Sequence, residues 1–320
     1  VDEARLFVEA PVWDNVYFFA ELNLATREST GVSLQLGELY LDFENVSRLW
    51  GQERLVSLRL GRLDVPFGEE YLFRDAIDNP LISHSLSDIW GINEGVELYG
   101  KLGKFSYVLA AQNGGIPDGL DNTADKSVVA RLSFEPLKSL HFSVSAMRTG
   151  DLDVNNDGLS AIWFGNGFFR SIGSEGTTLF HADLVEGDAT FKLPHGHISA
   201  FGGYARYADN DPTHQNRRDV YYYSVEGVHN IFARAYAGVR FSQIFVNKGY
   251  PISGNGEMGE YFFSPGAPLT DNIWRLSLGL GYQWSQNLVT KAEYSFERAH
   301  ISGAKRNQED LFALEAAFKF

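Results

Sequence analysis

The sequence predicts an all-β fold: one transmembrane antiparallel up-and-down β-barrel, about sixteen strands when complete, with residues 1–320 forming a single domain. Three observations predict it. Apolar residues recur at every second position in segment after segment, the period of a strand with one apolar face. The connections between these segments alternate between short and long. No apolar run approaches the roughly 20 residues that a spanning helix needs.

The elements follow in chain order. "ARLFVEAPVWDNVYFFAELNL" (4–24) holds two strands around a turn near 11–15. After a long connection near 26–31, "GVSLQLGELYLDF" (31–43) is the next strand. Past a short connection near 47–54, "VSLRLG" sets Val56, Leu58 and Leu60 against Ser57 and Arg59. A long segment near 68–93 leads to "GINEGVELYGKLGKFSYVLAAQNGG" (91–115), a pair around a turn at 102–104, with Phe105, Tyr107, Leu109 and Ala111 on one face. Beyond the long connection near 114–126 and the short one near 135–139, "LHFSVSAM" alternates Leu140, Phe142, Val144 and Ala146 with His141, Ser143 and Ser145. The long 150–179 segment follows, part of which ("LSAIWFGNGFFRSIG") is an alternative spanning strand. In "FHADLVEGDATFKL" the apolar face switches between Val185 and Gly187, which predicts a bulge or kink.

After a short turn near 193–197 and a long connection near 208–219, "VYYYSVEG" puts Tyr221, Tyr223 and Val225 opposite Tyr222, Ser224 and Glu226. Tyrosines on a half-wet wall pack or line the interface more often than they form a stacking track. "ARAYAGVRF" follows the turn near 229–233, with Ala235, Ala237, Val239 and Phe241 on one face. Past the long 247–271 segment, "IWRLSLGLGYQW" is the clearest strand: Trp274, Leu276, Leu278, Leu280, Tyr282 and Trp284 alternate with polar or tiny residues. Aliphatics between aromatic ends suit a lipid-facing strand. The chain closes on "LFALEAAFKF", where Phe312, Leu314, Ala316, Phe318 and Phe320 share a face. Trp13, Tyr17, Phe105, Phe134, Phe232, Trp284 and Phe320 cluster beside the short turns and predict an interfacial girdle. About fifteen strands are counted, with the first and last both running toward the short-turn rim. Such barrels take an even number, so a further strand upstream of Val1 is expected.

Composition narrows the partners. Asp and Glu number 41 against 27 Lys and Arg, a formal charge of −14, which argues against nucleic acid. There is no cysteine, hence no disulfide framework, thiolate metal site or cysteine nucleophile. A mean hydropathy of −0.20 is compatible with a barrel, because half of each strand faces water. No G-x-S-x-G elbow is present, and an enzyme is not expected.

At "LVSLRLGRLDVPFGEEY" (55–71) the sequence resembles the phosphate-selective porin O and P family, which carries a strand of the form R-x-G-R followed by a P-F turn. Residues 4–24, 31–43 and 91–115 resemble that family's neighbouring strands; beyond 115 the resemblance is weak. It implies a sixteen-stranded porin of the Gram-negative outer membrane, an integral protein, usually a homotrimer, with a loop folded inward to constrict the pore. It also implies a strand upstream of residue 4.

The charges depart from that family, whose anion-selective members line the constriction with Arg and Lys. Here the candidate constriction loop, 68–94, holds Glu69, Glu70, Asp75, Asp78, Asp88 and Glu94, with Arg74 its only basic residue. Carboxylates favour cations and repel phosphate. By the strand alternation Arg59, Lys101, Arg131, Arg234, Arg240, Arg275 and Lys291 point into the lumen, joined by Glu97, Asp183, Glu226, Glu293 and Glu297. These rows either guide solute or pair with one another and stiffen the barrel. The reading is a passive channel for small ions and polar solutes, needing no cofactor, embedded among membrane lipid and lipopolysaccharide. The alternative is a structural or scaffold barrel holding a protein partner; bulky wall residues and an occluding 150–179 segment would favour it. "DLDVNNDGLS" follows the first half of a calcium loop, so Asp151, Asp153, Asn155 and Asp157 are candidate ligands; the closing Glu is replaced by Phe164, and an acidic turn is the simpler reading. His195 and His197 in "HGH" lack a third ligand.

Overall fold

The computed structural model describes residues 4–25, 34–114, 124–154, 168–169, 176–255, 261–263, 266–301, 304–306 and 310–320. Its strands, in chain order, are β1 (Ala4–Trp13), β2 (Val16–Ala25), β3 (Gln35–Phe43), β4 (Ser57–Asp64), β5 (Ile92–Leu102), β6 (Phe105–Gln112), β7 (Ser127–Leu137), β8 (Leu140–Arg148), β9 (Leu152–Asp153), β10 (Leu179–Leu193), β11 (Gly196–Asp209), β12 (Arg218–Asn230), β13 (Ala235–Asn255), β14 (Tyr261–Phe263), β15 (Leu269–Ser285), β16 (Leu288–Ile301), β17 (Ala304–Arg306) and β18 (Leu311–Phe318). They form one 18-stranded sheet. Only β9, β14 and β17 are too short to span, at two or three residues each. The other fifteen pair with their sequence neighbours, antiparallel throughout.

Tight turns at 14–15, 103–104, 138–139, 194–195 and 286–287 mark one rim, with a 3-10 helix at Val46–Trp50 in its longest connection. Both β1 and β18 run toward that rim: β1 enters the 14–15 turn, and Phe318 stands opposite Leu288 at the start of β16. The two strands therefore run the same way, and no hydrogen-bonded register joins them among the described residues.

The faces follow from register. Leu60, Leu109, Val144, Leu278 and Leu314 point outward and stay exposed. Such an uncovered apolar band would be costly in water, at about 25 cal/mol per Å², and it suits lipid. The interior is unequal. On the inner faces of β7 to β16, Val129, Met147, Phe180, Leu184, Tyr207, Val220 and Ile244 form a dry core near the long-loop rim. Phe168 and Phe169 cap it, Phe169 stacking on Phe180 at 4.8 Å and Phe168 lying 5.1 Å from Tyr250. These two residues of the 150–179 segment thus pack inside the barrel instead of spanning the membrane.

That core explains a correction. β10 has no bulge: its register runs unbroken against both β8 and β11. Near the long-loop rim its inner face is apolar (Phe180, Ala182, Leu184), because it meets the core, and its outer face carries His181 and Asp183. Farther down, Glu186 and Asp188 line the inside while Val185 and Gly187 face out. Polarity changes sides because the environment does. Asp183 is accordingly not lumenal; it pairs outward with Arg148 at 2.9 Å.

Candidate functional site

Residues 65–91 cross the lumen. β4 ends at Asp64, and Pro66, lacking an N–H, does not continue a ladder. Gly68 then adopts φ +65 and lies against the Glu186 carboxylate, where any Cβ would clash. Its N–H donates to Ser145 Oγ (3.1 Å) and its carbonyl accepts from Arg131 (2.6 Å). Glu69 meets His141 at 2.6 Å. Arg131 also donates to the Tyr71 hydroxyl (2.9 Å), and Arg5 of β1 pairs with Asp75 at 2.8 Å. Segment 71–75 is therefore a chord from β7 to β1.

The remainder of the loop is seated on the far wall. The Ile82 and Ser83 N–H groups donate to Glu293 Oε2 (2.6 and 2.9 Å), and the Ser83 hydroxyl donates to Oε1. Arg240 donates to the Ser83 carbonyl (2.6 Å) and to Asn79 Oδ1 (2.9 Å). Lys291 donates to the Ala76 and Leu81 carbonyls, and Leu86 N–H to Ser242 Oγ (3.2 Å). The Leu81 side chain nests on Gly238 and Gly279, and a Cβ at Gly279 would overlap it. Within 65–91 only Leu72, Phe73 and Asp78 are exposed.

Most of the predicted lumenal charges are therefore anchors. Arg240 pairs with Glu226 (2.5 Å), Arg275 with Glu297 (2.6 Å) and Lys291 with Glu315 (2.8 Å), all with little exposure. The loop carboxylates are engaged too. Asp88 is bound by Arg74 (3.0 Å) and His84 (2.9 Å). Burial opposes its charge, but Arg74 and His84 hold its carboxyl well below the usual range. Glu70 accepts from the Ser85 N–H (2.7 Å) and hydroxyl (2.5 Å). Burial, with Asp88 nearby, holds the Glu70 carboxyl above its ordinary value. Burial also pushes the Tyr71 phenol up to about 12. Asp78 alone of the predicted ring is exposed without a side-chain partner in view.

Two predicted positions are corrected. Arg234 lies in the exposed 231–234 turn, because β13 begins only at Ala235, so it belongs to the rim. Glu94 lies in β5 and pairs with Arg62 (3.6 Å) opposite Leu39, on the outward face. Lys101 is exposed near the short-turn rim, 4.0 Å from Glu135. Tyr17, read as part of the girdle, stands opposite Pro11 in register with the inward Glu21 and Phe19.

The wall from β1 to β5 has a different chemistry. Arg59 is bound by Asp42 (2.8 Å) and Glu97 (3.1 Å) and lies over the rings of Tyr40 (5.3 Å) and Tyr99 (4.6 Å). Tyr40 stacks on Phe19 at 5.0 Å, and Phe19 lies 6.1 Å from Phe7. Arg5 lies 3.6 Å from Glu21, and Glu38 accepts from the Asp64 N–H at 3.0 Å. Sequence reasoning passed over Arg5, Phe7, Tyr40 and Asp42. The signal available was the even-position run Glu38, Tyr40, Asp42 in "GELYLDF", which matches Arg59 across the β3–β4 register.

Asn155 and Asp157 lie outside the described residues. Of the other two candidate ligands, Asp151 pairs with His181 at 3.1 Å. Among the described residues no group of three or more His, Asp or Glu is arranged to hold a metal.

No known family matches the sequence, and no curated protein matches it. Solved structures do share the fold. The chain is similar to OmpT, an outer membrane protein of Vibrio cholerae, with a TM-score of 0.62 at 11% identity over 99% of this chain and 89% of that one. It is similar to the outer membrane channel DcaP of Acinetobacter baumannii, with a TM-score of 0.60 at 12% identity over 98% and 83%. It is also similar to an anion-selective porin from Comamonas acidovorans, with a TM-score of 0.59 at 10% identity over 98% and 86%. The fold is that of the outer-membrane porins and channels.

Proposed function

We propose that this porin-fold barrel is a passive outer-membrane channel for small ions and polar solutes, with a preference for cations and no catalytic step. The observation that carries the reading is the chord at 71–75, which separates a packed half of the interior from the β1–β5 wall. On the inner face of that wall two arginines each meet two carboxylates, Arg5 with Glu21 and Asp75, Arg59 with Asp42 and Glu97. The surplus negative charge attracts cations and repels phosphate. The selectivity of the phosphate-selective porins, which the sequence resembles at 55–71, is therefore not carried over. Assembly as a homotrimer among lipid and lipopolysaccharide belongs to the same proposal.

A second reading, a scaffold barrel that holds a protein partner, draws support from the dry internal core capped by Phe168 and Phe169. Planar-bilayer recording in a potassium chloride gradient separates the two. The channel reading expects stable open steps with a cation-favouring reversal potential. An anion-favouring reversal blocked by phosphate would defeat the selectivity, and a folded barrel without conductance would favour the scaffold.

A further inference from the structure

We infer that the passage between the 71–75 chord and the β1–β5 wall holds a binding site for small organic monocations bearing an aromatic body. The inference deepens the channel reading and rests on it for the route of access. The deciding juxtaposition is that Phe73 and Phe7 each lie two residues from the same ion pair, Asp75 with Arg5. Residues i and i+2 of a strand share a face about 7 Å apart, so Phe7 is next to Arg5 on the inner wall. Phe73 leads into Asp75 from the loop.

Both rings are open. Phe73 is 57% exposed, its neighbour Leu72 50%, and Phe7 45%. Elsewhere in 65–91 every residue but Asp78 is buried or half-buried, so exposure of a Leu-Phe pair here is a local exception. A passage shaped only for hydrated potassium has no use for it, since apolar rings do not replace ion hydration.

Charge selects the sign of the solute. The Arg5 cluster carries Glu21 and Asp75, and the Arg59 cluster carries Asp42 and Glu97, so each is negative overall. A cation gains from these carboxylates and from ring faces. An aromatic anion meets the rings but is repelled. Ring geometry disfavours a neutral sugar. Phe19 and Tyr40 stack within 22° of parallel, and Arg59 covers Tyr40 and Tyr99, so these faces are already occupied. A pyranose needs a free broad face, whereas a compact cation needs only the exposed rings of Phe7, at the end of the stack with Phe19, and of Phe73 on the loop.

The test records block of the purified full-length barrel by 2-phenylethylammonium, with ethylammonium and phenylacetate as controls. The aromatic cation is expected to block at roughly tenfold lower concentration than ethylammonium, and phenylacetate not to block. In Phe73→Ala and in Phe7→Ala that discrimination should fall severalfold, while Arg234→Ala on the rim should keep it. Equal block by the two ammonium ions, block by phenylacetate, or discrimination that survives both alanine variants would overturn the site. If the folded barrel carries no potassium current, the channel reading fails separately. Calorimetric titration with 2-phenylethylammonium then decides the site: heat lost in both variants supports it, and no heat in the parent overturns it.

Discussion

The two halves of the interior use arginine in opposite ways. On β13 and β15, Arg240 and Arg275 are sealed under the loop, each with one carboxylate and a loop carbonyl as partners. On β1 and β4, Arg5 and Arg59 remain partly open, each held between two carboxylates. The same residue type, facing the same way from the same kind of strand, is a sealed anchor in one half and part of a more open wall in the other. What separates them is coverage. A buried ion pair loses its hydration and contributes mainly when fully satisfied, so breaking it is costly; an exposed one is screened and tunes the local field.

The largest effect should come from removing a buried anchor. Glu293→Ala leaves the Ile82 and Ser83 N–H groups without their acceptor and Arg240 with one less neighbouring carboxylate. Each buried donor left without its acceptor costs about 1–3 kcal/mol, and Glu293 serves several. The loop should detach, giving larger and noisier single-channel steps together with a lower thermal transition on heat-modifiable gel mobility. Unchanged steps would mean that the loop is held elsewhere.

Gly279→Val tests the seat without touching a charge. The new side chain overlaps Leu81, and overpacking of this kind costs about 1–3 kcal/mol. Loop noise should increase less than in Glu293→Ala, and Leu81→Ala in the same background should restore quiet steps. A double variant as noisy as the single one would break the assignment.

On the open side Arg59→Ala should leave the fold intact and shift the reversal potential further toward cations, because Asp42 and Glu97 lose their shared counter-charge. A shift toward anions would invert the reading of that wall.

The pH response should be smaller and again confined to the loop. The raised Glu70 carboxyl favours its protonated form in the folded state. Its contribution is therefore full below the ordinary carboxylate range and is lost as pH rises through the raised value. The depressed Asp88 works the other way, contributing above the ordinary range and losing its effect only in strong acid. Loop noise should thus grow modestly as pH rises through the raised Glu70 value, above the ordinary carboxylate range, and Glu70→Gln should remove that growth. Persistence of the trend in Glu70→Gln would point to another group. The smallest effect is expected for Arg234→Ala, which should leave conductance within error of the parent because its side chain sits on the rim.

Much of the architecture was legible because barrel strands repeat one rule. Trp274 to Trp284 alternate cleanly, and the structure runs β15 through them in that register. Short turns and the inward loop at 65–91 were also within reach, one from connection lengths and the other from the resemblance at 55–71. The reading failed at β10, where His181 and Asp183 suggested a bulge. Alternation assumes that the inside is wet along the whole strand, and here the upper inside is a dry core. It failed likewise at Arg234 and Glu94, which lie just outside the strand or face out of it.

By itself, then, the sequence determined the strands, their order, and which side chains share a face, since period-two alternation is a local property of the backbone. It also determined the acidic balance of the loop. Only the tertiary structure decided which charges meet water. Arg240, Arg275 and Lys291 read identically to Arg59 along the chain. Their burial depends on where residues 76–88 come to rest, through contacts made across the barrel by residues roughly 150 to 210 positions apart. Coverage of that kind is long-range packing, and no local pattern encodes it.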